Sequence, residues 1–494
     1  MQEVCYYISG MHNSHRSRRS LFRHTVVYGS MIIIILTLSV VLLFALIGYR
    51  YDKNKNEFVQ GGLVQFISQP SGATVHVDST QLGAKTRSKV TLFPGTYTVK
   101  MSLTGYRDWQ KNTTVKSNIV VWLDSARLVP NSPQTTTVAE VPTITSTAVL
   151  PENPNFAYMT DATQPVISLL APDDQTPKAT ALTIPATAFA AGEHHNFSLV
   201  KWRDKRYLLV KHTLNTGTEW LIVDTTNSAN THAVTDISPT VKVKKVFFDP
   251  RDEGKVFAWY DDGSVRNITL NDGTISDPLL EHVSDLYVNG DGTLFAAKIT
   301  DPGQVNTVYL SYGAKTPTIL GTYPTTLPVH IAGGEYYSDF YITTTVGATM
   351  KVHNYTDLPT SGSSQPLANI LIYQTELPAA PSSLTLHRGA RYVSAEFGTG
   401  LATYDMETKV FTTVPFVGVT QPLSDSVDWL DTNHFYTTTD GKLRQYEFDG
   451  TNQTDIVSVA PGTNAMYSAS DKYLLTIAKS KNGYQIQRTL MVLP

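Results

Sequence analysis

The chain has 494 residues, 41% of them hydrophobic and only 16% charged, and its single cysteine is Cys5. Seven basic and three acidic side chains give residues 1–57 a charge of +4, so residues 58–494 carry −7 and lack the basic footprint of a nucleic-acid binder. With no cysteine after position 5, a disulfide framework is excluded and stability must come from apolar burial.

The first predicted element is a helix. Thr25 to Ile47 hold 23 residues without a charge. At about 1.5 Å per residue they span roughly 35 Å, against about 30 Å of bilayer core. A cleaved signal peptide is the rival reading, but its apolar region is usually about 7–15 residues and ends at a small-residue site. Here the run is longer and leads into Gly48-Tyr49-Arg50-Tyr51, and Cys5 lies on the wrong side for a lipid anchor. Arg16, Arg18, Arg19 and Arg23 precede the helix, while Arg50, Lys53 and Lys55 follow it. That is a mild bias toward a cytoplasmic N-terminus. No second apolar run of about 18 residues follows. The expected topology is a cytoplasmic tail at 1–24, an uncleaved signal anchor at 25–49 and everything later outside the cell membrane.

Between residues 62 and 128 the pattern has a period of two. Ala73, Val75 and Val77 face one way and Thr74, His76 and Asp78 the other; Tyr97, Val99, Met101 and Leu103 alternate likewise with polar neighbours. Pro94-Gly95 and Gly105 supply turns. A small β-sandwich is predicted. Gln69-Pro70-Ser71-Gly72-Ala73-Thr74-Val75-His76-Val77-Asp78, then Phe93-Pro94-Gly95-Thr96-Tyr97-Thr98-Val99 and Gly105-Tyr106, resemble the ordered motifs of a PEGA domain. One departure stands out. Where that family has Gly-x-Thr-Pro, this chain reads Gly83-Ala84-Lys85-Thr86-Arg87, which bears on the local turn. The resemblance implies a prokaryotic envelope module without catalytic residues.

Residues 129–154 carry Pro130, Pro133, Pro142 and Pro151 among six threonines and no aromatic residue before Phe156. Such a composition predicts an extended spacer.

From Asn196 onward one pattern recurs: apolar strand, polar turn, apolar strand, Gly-containing turn, apolar strand. The second-strand cores begin at Tyr207, Val256, Leu294, Phe340, Tyr392, Phe435 and Tyr473. Asp262-Gly263, Asp272-Gly273, Asp291-Gly292 and Asp440-Gly441 are hairpin signals, because both residue types tolerate positive φ. Repeated four-stranded antiparallel units make a β-propeller. The expected fold is therefore all-β: one transmembrane helix, a PEGA-like sandwich, and a seven-bladed propeller over 155–494. It resembles a WD-repeat propeller in architecture, without the Gly-His and Trp-Asp pairs. Ring closure is expected from Lys178–Ile184 pairing with the strand near Tyr484–Leu490. Eight blades, with Phe156 to Leu170 in an extra one, is the alternative.

Sites for chemistry are few. Ser198 and Lys201 have a Ser/Lys spacing but fall on a predicted strand. His194-His195, with only Glu193 nearby, reads as a solvated loop pair. Asp249, Asp252 and Glu253 lack a full calcium-loop alternation, and Asn289-Gly290-Asp291-Gly292 holds one carboxylate; both read as hairpin turns. No catalytic, metal or cofactor-binding residue is expected. The longest repeat spacing, between the fourth and fifth second strands at Phe340 and Tyr392, points to an insertion where Tyr355 offers a flat ring and Asp357 an acceptor. These two are the predicted binding residues. The reading is a non-enzymatic, membrane-anchored binding or scaffold protein of the prokaryotic envelope, its partner an envelope protein, peptide or glycan and not nucleic acid. An envelope enzyme with its active site on a propeller face is the alternative.

Overall fold

The computed structural model describes residues 15–52, 56–151, 153–355, 358, 369–387, 389–416 and 427–494. It divides into two compact units, Met1–Leu103 with Asp108–Leu128, and Thr104–Arg107 with Val129–Pro494.

The first unit begins with a helix, His15–Leu46. Its stretch Phe22–Leu46 is long and apolar enough to cross a membrane, and none of it is buried within the protein. Ile34 is 64% and Leu38 59% exposed, a surface that water disfavours and hydrocarbon accepts. Two sheets follow. Thr80–Lys85, Thr74–Val77, Gly95–Ser102 and Trp109–Val115 form one, in that order. Ser88–Leu92, Gly62–Gln69 and Val120–Arg127 form the other. Gly62–Gln69 alternates strictly between buried and half-buried residues, as a strand covered on one face must. Val64, Phe66, Ala73, Val75, Val99 and Met101 are fully buried between the sheets.

The departure at Arg87 is now explained. Thr86 Oγ1 accepts from the backbone N–H groups of Gly72 and Ala73, each at 2.9 Å, and meets Ser68 Oγ at 2.7 Å. That knot fastens the Pro-Ser-Gly-Ala turn. Arg87 then turns at φ +47°, a left-handed value closed to proline, whose ring holds φ near −65°. Arginine stands there because the chain turns differently.

The second unit contains eight successive blade sheets among the described residues. Blade 1 runs from Ser146–Ala148 to Thr180–Thr183. Blade 2 runs from Asn196–Trp202 to His232–Val234. Blade 3 has three strands, Val243–Phe248, Lys255–Tyr260 and Val265–Thr269, with single bridges from Val265 to Leu280 and Ile268 to Ile275 in place of a fourth. Blades 4 to 7 start at Val283–Val288, Val329–Tyr336, Ser383–His387 and Asp428–Trp429. Blade 8 uses Met466–Tyr467, Tyr473–Ser480 and Gly483–Leu490, and its outer strand is Gln134–Val141.

Apolar clusters join each blade to the next. Leu209 and Val234 of blade 2 pack with Val246 and Ala258 of blade 3, and Phe295 and Tyr309 of blade 4 with Ile331 and Ile342 of blade 5. The last cluster joins Met466, Leu475, Ile477 and Ile486 of blade 8 to Phe156, Tyr158 and Leu170 of blade 1. That contact makes a ring. It also explains the sequence pattern: a second strand covered by a neighbouring blade on each face is buried throughout, as in Phe156–Met159 and Tyr392–Glu396, and carries apolar residues on both faces in place of a strict alternation.

Three expectations are corrected here. The blade sheets number eight, the alternative reading, because Phe156–Met159 is a second strand like the other seven. Closure does not use Lys178–Ile184: Thr180–Thr183 pairs with Val166–Leu170 inside blade 1. Residues 129–154 are not a free spacer either, since Gln134–Val141 pairs with the last strand from Gln134 opposite Leu490 to Val141 opposite Tyr484. An outermost blade strand is largely solvated, so it can be built from Thr and Glu with few large apolar residues, and its composition mimics a linker.

Candidate functional site

The first strand of each blade lies at one end of its sheet, and neighbouring first strands touch, as Ser146–Ala148 does Asn196–Trp202 and Val283–Val288 does Val329–Tyr336. They form the inner wall of the ring. Where each leaves the wall, a tight turn carries the chain into the second strand. In five blades an acidic or amide side chain three residues before the second strand accepts from the N–H two residues on. The pairs are Asn153 with Asn155 (2.9 Å), Asp204 with Arg206 (2.7 Å), Asp252 with Gly254 (2.9 Å), Asp291 with Thr293 (2.9 Å) and Asp431 with Asn433 (2.7 Å). Such Asx turns fix the loop backbone and hold their neighbours in set positions.

The turns of blades 2, 3 and 4 line a half-open cavity of about 490 Å³, within the range of small-molecule sites. Its walls include Lys201, Arg203, Phe247, Phe248, Arg251 and Asn289, with Asp204 and Glu253 adding negative charge. A second cavity of about 390 Å³ continues toward blade 5, lined by Asp291, Tyr312, Glu335 and Phe340. Arg251 lines both.

The cations are held by rings, carbonyls and one long ion pair, Arg203 Nε with Asp204 Oδ2 at 3.7 Å. Arg203 Nη2 donates to the Asp249 carbonyl at 2.7 Å, and its guanidinium lies 5.9 Å from the centre of the Phe248 ring. Arg251 lies 4.9 Å from the Tyr312 ring, whose hydroxyl donates to Asp249 Oδ2 at 3.3 Å. Lys201 Nζ and Lys245 Nζ both approach the Phe247 ring, at 5.7 and 5.1 Å, and Lys244 Nζ stands 3.9 Å from the Trp259 ring. The Lys201 ammonium reaches solvent yet has protein on most sides; that enclosure, with the like charge of Lys245, pulls its pKa below the usual lysine value.

The structure places the sequence-derived candidates as follows. Tyr355 ends the strand Thr349–Tyr355, is only 3% exposed, and packs with Phe295, Tyr309, Ile331 and Ile342. Burial pushes its hydroxyl up to about 12. It is a core residue and not a displayed ring, because the third strand of blade 5 runs farther than the turn signal suggested. Asp357 and most of the insertion lie outside the described residues. His195 is not a solvated loop residue: its Nδ1 meets Nε2 of the fully buried His212 at 2.9 Å, and His212 Nδ1 meets Glu219 Oε1 at 2.6 Å. Asp249 Oδ1 accepts from the N–H groups of Arg251 and Asp252. No group of three metal-binding side chains occurs among the described residues. The cationic cavity went unnoticed in the sequence because Lys201 and Arg203 belong to blade 2 and Lys244, Lys245 and Arg251 to blade 3, so the cluster forms only when the two blades pack. The signal that could have found it is the Asx residue at a fixed step before each second strand, which aligns the turns.

Comparison with family models bears on the first unit. Residues 63–130 match the PEGA domain. The PEGA domain thus covers the two-sheet sandwich and its Thr86-fastened turn. No curated protein matches the chain. Among solved structures, a computationally designed protein, Ika8, is similar with a TM-score of 0.41 and 12% identity, covering 71% of this chain and 96% of that one. The tricorn protease gives 0.40 and 11%, covering 73% and 38%, and a chain of the mitotic checkpoint complex 0.37 and 12%, covering 58% and 85%.

Proposed function

We propose that this is a membrane-anchored recognition protein of the prokaryotic cell envelope, with its PEGA domain and eight-bladed ring outside the membrane. The helix Phe22–Leu46 is the anchor, the PEGA domain a spacing module, and the ring the part that binds. The observation that carries the reading is the pair of cavities joined at Arg251, built on turns whose backbones are fixed by Asp204, Asp252 and Asp291. Positioned side chains on loops of a rigid scaffold are the usual makings of a binding site.

Two measurements test it. Protease added to spheroplasts should digest the ring; its protection would reverse the topology. The detergent-solubilised full chain, immobilised and exposed to envelope polymers and secreted proteins, should retain a partner, and Asn289→Trp, which fills the cavity, should release it. Retention indifferent to that substitution would move the site elsewhere.

A further inference from the structure

The lysines of blades 2 and 3 fall into two groups. Some find carboxylates, as Lys242 reaches Asp236 at 2.8 Å and Lys255 reaches Asp252 at 2.9 Å, the arrangement that Lys442 repeats in blade 7 with Asp455 at 3.2 Å. Lys201, Lys244 and Lys245 have no carboxylate within ion-pair distance among the described residues; each has an aromatic ring instead. A ring attracts an ammonium and restricts its position without cancelling its charge. Lys201 lines the cavity and shares the Phe247 ring with Lys245, and Lys244 stands beside Lys245 on the same inner strand, so positive charge gathers on this part of the wall.

We propose that this cavity binds an acidic oligosaccharide, with Lys201 and Lys245 taking a sugar carboxylate and Arg251 a second one farther along. The inference rests on the recognition reading above and names its ligand. An elongated ligand is indicated because Arg251 lines both cavities, so the site runs along the turns of blades 2 to 5. A sugar acid is favoured over an acidic peptide by the rest of the lining. Asp204 and Glu253 stand at the same mouth. They would repel a run of Asp or Glu side chains, whereas a uronic acid carries one charge per ring surrounded by hydroxyls, and carboxylate and amide oxygens accept hydrogen bonds from hydroxyls. Arginine, fixed at Arg203 and Arg251, presents the planar fork that suits a carboxylate.

The test is titration calorimetry on the detergent-solubilised full chain with a uronic-acid tetrasaccharide, its carboxyl-reduced neutral counterpart, hexaglutamate, and inorganic phosphate. The acidic tetrasaccharide should bind at least about tenfold more tightly than the other three, and less tightly at high salt, since part of the attraction is screened. Lys201→Gln with Lys245→Gln should lower that affinity at least about tenfold with the unfolding midpoint unchanged. Lys479→Gln, at an exposed position of blade 8 outside both cavity linings, should change nothing. Equal binding of the reduced sugar, or tighter binding of hexaglutamate, would overturn the acidic-glycan assignment and leave the recognition site standing. If none of the four binds while the envelope screen still retains a partner that Asn289→Trp releases, the ligand class is wrong and the site is right; if that screen also fails, both fall.

Discussion

Two sides of the ring use charge in opposite ways. In blades 6 and 7 each buried arginine sits between carboxylates: Arg391 lies 3.3 Å from Asp405 and 3.0 Å from Glu407, and Arg444 lies 2.6 Å from Asp455 and 3.0 Å from Asp440. In blades 2 and 3 Lys201, Lys244 and Lys245 rest on rings with no carboxylate in ion-pair distance among the described residues, although Lys242 and Lys255 beside them are paired. Blade 2 shows that this is not a general property of its position, since Arg206 and Asp224 there repeat the Arg391–Asp405 pair at the same register. The difference teaches which charges hold hairpins together and which are left over for something else.

Breaking the ring itself should have the largest effect. Deleting Gln134–Val141 strips the last blade of its outer strand and leaves Gly483–Leu490 as an open edge. Thermal unfolding followed by circular dichroism should lose its midpoint by more than for any substitution below. Next comes Arg391→Ala, which leaves Asp405, 2% exposed, without its cation. Removing one partner of a buried pair costs about 3–5 kcal/mol, measurable by urea unfolding. A cost under about 1 kcal/mol would erase the distinction drawn between the two sides.

Glu396 gives a pH-dependent version of the same contrast. Burial pushes its carboxyl up to about 7, despite hydrogen bonds from Val427 N–H and Ser383, and Asp428 adds to the rise. A raised folded pKa means stability is fully present below about 4.5 and is lost as pH rises toward 7. Glu396→Gln should therefore stabilise the ring by up to about 3 kcal/mol at pH 8 and make little difference at pH 4. The smallest effect belongs to Lys201→Gln with Lys245→Gln, which should alter stability by less than about 0.5 kcal/mol because no ion pair is lost. A large loss would mean these lysines hold the fold and do not wait for a ligand.

Much of this fold could be read in the sequence. The seven second strands from Tyr207 to Tyr473 were legible because both their faces are covered, which writes adjacent apolar residues into the chain in place of a strict alternation. The PEGA sandwich was legible because one covered face writes a period of two. Gln134–Val141 was not, since a solvated edge strand needs little beyond β-branched residues and resembles a linker. Blade 1 was lost with it, as its first strand is only Ser146–Ala148. Tyr355 was misjudged because the end of a strand is poorly marked and one extra residue carries a side chain from loop to core. The cationic cavity had only a partial linear signature: Lys244, Lys245 and Arg251 lie close together in the chain, and Lys201 and Arg203 join them only through the order of the blades.

Gln134–Val141 has one more consequence, in the order of synthesis. Its hydrogen-bonding partner begins at Gly483, some 340 residues later in the chain. At about 5–20 residues per second, the ribosome needs on the order of tens of seconds to deliver that partner. Throughout that interval the strand must remain unpaired while seven blades assemble behind it. A strand of Val, Ile and Phe waiting so long would find other chains. The run Gln134-Thr135-Thr136-Thr137, soluble by itself and paired only when the last blade arrives, suits a piece of sheet that has to be made first and used last.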